Sequence, residues 1–182
     1  MSSEHPHGRT AKGFALILGA ARAAGLTPRR SACALVRKAE RDELVVLAMN
    51  DPLMAAAVRR TRKTLPKFLA LAKRPGPTME GFAVKIAIGA GNGAGNGVEF
   101  FWIHPFAHVG ERFIGQINNT PRMVAKPRMG CTVTFARSEI VDWMYMDAGM
   151  MKGNFSARAI FKSALPQDRE AFRRQFGLDF DF

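Results

Sequence analysis

The sequence predicts an α+β fold: a curved antiparallel sheet of about five strands, half-open and barrel-like, with flanking helices. Three observations carry that prediction. A long apolar periodicity of three and four residues begins near Asp51, period-two segments follow it, and helix signals return at the C-terminus. The order helix, strands, helix separates this class from a doubly wound parallel sheet. Composition agrees. The chain has 182 residues, 47% hydrophobic and 23% charged, near the values of ordinary globular domains and enough for one domain with extensions. Wholesale disorder and a fibrous protein are excluded. No apolar run approaches the ~18–20 residues of a spanning helix, so no membrane span is expected. Two cysteines, Cys33 and Cys131, cannot build a disulfide scaffold or a four-cysteine metal site.

Residues 1–48 read as an N-terminal extension, and residues 49–182 as a single domain. The extension is rich in Ala and Arg and lacks strong periodicity. Its apolar stretch Gly13–Ala24 is interrupted by Arg22 and has no clean cleavage site after it, so three readings stay open: targeting peptide, short packed helix, or a stretch upstream of a true start at Met49. Leu44–Ala48 reads as buried structure and argues against the last. Asn50 or Asp51 can cap the first helix and Pro52 suits its first turn. Met54, Val58, Thr61, Leu65, Phe68 and Ala72 form its apolar face, with Arg59, Arg60, Arg62, Lys63 and Lys67 largely off it. Pro66 predicts a kink or a second helix start. Lys73–Thr78 ends the helix.

Phe82, Val84, Ile86 and Ile88 alternate with smaller or polar residues as a half-buried strand does. Gly89–Gly97 reads as a flexible hairpin tip leading into an aromatic strand, Val98–His104. Further strands are expected at Arg112–Ile117, Cys131–Phe135 and Glu139–Met144. Ser156 is the expected cap of a helix over Ala157–Leu165. Pro166 starts a last helix that Gly177 stops, with Phe172 and Phe176 facing the core.

Several of these segments together carry a resemblance. From about Asp51 to Asp179 the chain resembles the YegJ-like family of bacterial domains of unknown function, domain of unknown function 2314. The matching residues are Asp51-Pro52 opening a helix, Thr64–Phe68 (TLPKF), Phe82–Lys85 (FAVK), Glu99–Ile103 (EFFWI), Phe113–Asn118 (FIGQIN) with Pro121, Gly130, Ile140–Met144 (IVDWM) and Gly153–Arg158 (GNFSAR). Each motif is weak alone, and the ordered set is fairly specific. The glycine-asparagine loop looks like an insertion in a turn, Ser156 stands where threonine is expected, and residues 1–48 have no counterpart. The family carries no accepted activity, so the resemblance implies a fold class and no chemistry. Secretion-type signals in some members keep an exported form beside the expected cytoplasmic one.

Charge narrows the partners. Lys and Arg number 27 against 15 Asp and Glu, a formal net charge of +12, which favours an acidic protein or a nucleic acid. Arg122, Lys126, Arg128 and Arg137 fall around the connection between the third and fourth strands, and Arg112 and Lys152 can join them in one basic surface. They read either as a binding surface or as a solvated rim. Asp142-Trp143 reads as a ligand-binding pair, or as a core anchor beside a carboxylate that accepts backbone hydrogen bonds. Phe100 and Trp102 share one strand face: a stacking platform for unpaired bases if exposed, core if buried. His104 and His108 lack a surrounding ligand set, so no metal is expected. The Gly89–Gly97 loop lacks a phosphate-binding pattern, and no cofactor is expected. Cys131 is expected to be a buried core thiol. The leading expectation is therefore a non-catalytic binding or accessory domain for an acidic macromolecular partner. The alternatives are a nucleic-acid binder using the basic loop and aromatic strand, and a small hydrolase or transferase using Asp142, His104 or Cys131.

Overall fold

The computed structural model describes residues 52–89, 98–121, 127–162 and 165–177. The elements run α1 (Pro52–Lys73), β1 (Met79–Gly89), β2 (Val98–Val109), β3 (Arg112–Ile117), β4 (Thr132–Phe135), a 3-10 turn (Arg137–Glu139), β5 (Ile140–Asp147), β6 (Met150–Gly153), α2 (Phe155–Phe161) and α3 (Pro166–Phe176). The strands form one open antiparallel sheet in the order β4-β3-β2-β1-β5-β6. The fold is α+β, with six strands where about five were expected from pattern and spacing. The 1–48 extension, the glycine-rich tip at 90–97 and the side chains of Phe172 and Phe176 lie outside the described residues.

Helix α1 buries Met54, Ala57, Thr61, Leu65 and Phe68, so Ala57 takes the inward place expected of Val58. The helix continues through Pro66 with no second start. Leu65 and Phe68, on either side of that proline, are 3% and 1% exposed. Burying side chains of this size is worth about 1.5–3 kcal/mol each, comparable to the ~3 kcal/mol a helical proline costs. Phe68 stacks on Trp143 of β5 with ring centroids 4.8 Å apart. Val84 and Ile86 of β1 and their cross-strand neighbours Ile103, Phe101, Trp143 and Ile140 complete the same core.

Two differences in strand length have local causes. Strand β2 runs on to Val109 because Pro105 sits where the β2–β3 register shifts, between Ile103 and Phe106; an irregularity tolerates a residue without an N–H. Strand β6 was missed because its turn, Ala148-Gly149, carries positive φ at both residues (48° and 78°) without the Asn-Gly signal that usually marks such a turn. Asn119 extends the sheet past the end of β3. Its side chain accepts the Trp102 N–H at 2.8 Å and donates to the Phe100 carbonyl at 3.4 Å, as a strand backbone would.

Candidate functional site

Alternation along β1 turns Lys85 away from Val84 and Ile86, and its cross-strand neighbours are Trp102 on β2 and Asp142 on β5. The β1–β5 register shifts just beyond this pair, where Ile86 faces Ile140, so Val141 is an extra residue in β5. Asp142 is fully buried. One carboxylate oxygen accepts the N–H of Trp143 (2.8 Å) and of Phe155 (3.1 Å); the other accepts the N–H (2.8 Å) and hydroxyl (2.6 Å) of Ser156. The Thr61 hydroxyl of α1 donates to Asp142 at 3.4 Å. The carboxylate thus serves the first turn of α2, whose N-cap residue Asn154 makes no side-chain cap bond. Ser156 does not cap the helix as expected. It lies inside the first turn, and its hydroxyl also accepts the Lys85 Nζ donor at 2.6 Å.

Lys85 Nζ lies 4.5 Å above the centre of the Trp102 ring. Burial pulls its pKa below the usual lysine range, and the Asp142 carboxylate offsets part of that fall. A buried amine, hydroxyl and carboxylate in series form a closed polar node. Sequence reading missed Lys85 and Ser156 as partners of Asp142 because 57 and 14 positions separate them from it. Lys85 alone looks like the solvent half of an alternating strand.

The other candidates fall elsewhere. Trp143 is 8% exposed and packed among Phe68, Tyr145 and Phe155. Of the expected platform, Trp102 is 1% exposed and Phe100 is half-buried, so the two do not form an exposed pair of rings; Phe101 on the other face is 0% exposed. Arg112 is exposed and ion-paired with Glu139 at 3.5 Å. Arg128 is exposed, and Arg122 and Lys126 lie outside the described residues. Cys131 is exposed, against the expected core thiol, because it precedes the edge strand β4 instead of sitting within the sheet. His104 and His108 both line a cleft between α1 and the β2–β3 strands. The residues considered for catalysis do not meet. Asp142 lies on β5, His104 on β2, and Cys131 at β4, with β3, β2 and β1 between β4 and β5. At about 4.8 Å per strand, that separates Asp142 from Cys131 by roughly 19 Å.

Helix α1 adds a surface that the sequence hinted at. Arg59, Arg62, Lys63 and Lys67 are exposed, and no Asp or Glu occurs between Pro52 and Lys73. Steps of three and four residues place the four cations on one stripe, about 12 Å long at 1.5 Å per residue. The next residue, Arg60, turns its guanidinium over the Phe155 ring at 5.3 Å. No described helix is long and apolar enough to cross a membrane.

No curated protein and no solved structure matches the chain. The family model described as "Uncharacterized protein conserved in bacteria (DUF2314)" matches residues 51–180, which span α1 through α3 and include both the polar node and the basic stripe, and the chain accordingly belongs to that bacterial family.

Proposed function

We propose that this domain is a binding module for an acidic protein partner, which it meets along α1. The observation that carries the proposal is the exposed stripe Arg59, Arg62, Lys63 and Lys67 on a helix without a single carboxylate. Helix faces bearing mixed charge are solvated and self-compensating, whereas a face of one sign attracts its opposite. The helix is held rigidly by Leu65 and Phe68 beneath it, so the cations are presented at fixed spacing. Single-stranded nucleic acid is the weaker reading. Phe68 is the one aromatic of α1 and it is buried, so the helix that carries the cations offers no ring on which a base could stack beside them.

The test is a titration of labelled polyglutamate, single-stranded DNA and duplex DNA at low and near-physiological salt. It compares the parent protein with the triple variant Arg62→Glu, Lys63→Glu, Lys67→Glu. The expected result is polyglutamate binding that the triple variant weakens by about tenfold or more, three exposed ion contacts of roughly 0.5–1 kcal/mol each being reversed. Equal binding by parent and variant overturns the proposal. So does DNA binding that outlasts polyglutamate binding as salt rises.

A further inference from the structure

The cleft between the C-terminal half of α1 and strands β1 to β3 has a volume of about 610 Å³, inside the ~300–1,000 Å³ range of small-ligand sites. Its apolar wall is made by Leu69, Phe82, Phe106 and Phe113. Three of those rings are braced from behind. Phe82 stacks on Tyr145 at 4.8 Å and 5°, Phe106 on Phe68 at 6.1 Å and 23°, and Phe113 on Phe135 at 5.6 Å and 16°. Such rings do not collapse into the space between them, and a planar guest extends the row they already form. His108 repeats the pattern at the mouth, its ring 4.7 Å from Phe113. His104 is fixed by a bond from its Nδ1 to the Phe82 carbonyl at 2.9 Å.

The charged groups of the lining are unequal. Lys73 at the end of α1 and Arg137 after β4 are cations; Glu111 at the β2–β3 turn is the one carboxylate. All three are exposed at the rim. An aromatic floor beneath a rim with one surplus positive charge matches a guest with a flat apolar body and one negative head. We propose that this cleft binds a small aromatic carboxylate, with the rings against Phe82, Phe106 and Phe113 and the carboxylate between Lys73 and Arg137. The lining includes none of the stripe cations Arg59, Arg62, Lys63 and Lys67, so the site stands or falls separately from the acidic-partner reading.

The probes are naphthylacetate and its uncharged counterpart naphthylethanol, titrated calorimetrically into the full chain. Naphthylacetate is expected to bind about tenfold tighter than the alcohol. Lys73→Gln with Arg137→Gln should erase that preference while leaving the alcohol's affinity unchanged. Ala70→Phe, a bulky group at an exposed position on the cleft wall, should weaken both probes. Thermal melts of these surface variants confirm that they fold. Absence of naphthylacetate binding at millimolar concentration overturns the proposal. A preference for the acid that survives the double variant, or binding of both probes untouched by Ala70→Phe, does so equally.

Discussion

Replacing Asp142 with Asn keeps the shape of the side chain and removes its charge, which makes it a direct probe of the node beneath α2. The carboxylate accepts four hydrogen bonds of 3.1 Å or shorter, two on each oxygen. An amide can serve only one of those pairs. With its oxygen toward Trp143 and Phe155, its NH2 group confronts the Ser156 N–H, which loses its acceptor in the protein interior at about 1–3 kcal/mol. The two surviving bonds fall from charged to neutral acceptors, costing about 1 kcal/mol each. The Lys85 ammonium also loses its nearby negative charge. The expected loss is about 3–5 kcal/mol, or roughly 10–20 °C in Tm for a domain of this size. Urea unfolding followed by far-ultraviolet circular dichroism measures it, since Trp143 fluorescence would report the local change as well as global unfolding. Ser156→Ala, which removes only the hydroxyl, should cost less. A loss below about 1 kcal/mol for Asp142→Asn would refute the claim that this carboxylate holds the start of α2.

Two further outcomes follow from the same structure. The folded state binds the Lys85 proton less tightly than the unfolded chain does, so the unfolded state carries more protons between the lowered pKa and the ordinary 10.5. The stability of the parent relative to Lys85→Met should therefore rise with pH across that window; Tyr145, whose pKa burial and Asp147 push upward, acts oppositely above pH 10 and cancels in the comparison. Urea titrations from neutral to alkaline pH check this, and a flat or falling difference contradicts it. Gly153 has φ +77°, and a Cβ there would collide with the Trp143 carbonyl and ring, so Gly153→Ala should destabilise the domain by about 2–4 kcal/mol in the same assay.

What could be read in advance depended on how local the cause was. Helix α1, strand β3 and the Phe82–Ile88 part of strand β1 are periodic, and period is a property of neighbouring residues. The ends of β2 and β5 and the whole of β6 depend on pairing with strands elsewhere, which supplies structure that Pro105 or the Ala148-Gly149 turn would not announce. Cys131 was expected inside because cysteine usually is; its exposure follows from β4 lying at the sheet edge. Asp142 was legible as a carboxylate accepting backbone hydrogen bonds beside a core tryptophan, as it does from Trp143, Phe155 and Ser156; its side-chain partners and the cleft were not. The node gathers Thr61, Lys85, Asp142 and Ser156, and the cleft gathers Leu69, Phe82, His104 and Arg137. Each is a product of the strand order. The basic stripe was legible as composition, and the structure added its spacing and the rigidity beneath it.

The short helix α2 has seven residues, too few to persist without support. Its support comes from a side chain on β5 that reaches it only because Asp142 is paired with Lys85 at the shifted register. A slip of β5 by one residue would send that carboxylate to the opposite face of the sheet, leaving the helix start unserved and Lys85 buried without its counter-charge. Misaligned strands therefore forfeit the helix along with the ladder. The node thus adds an electrostatic penalty to the one that misplaced Val, Ile and Phe side chains already impose on such a slip.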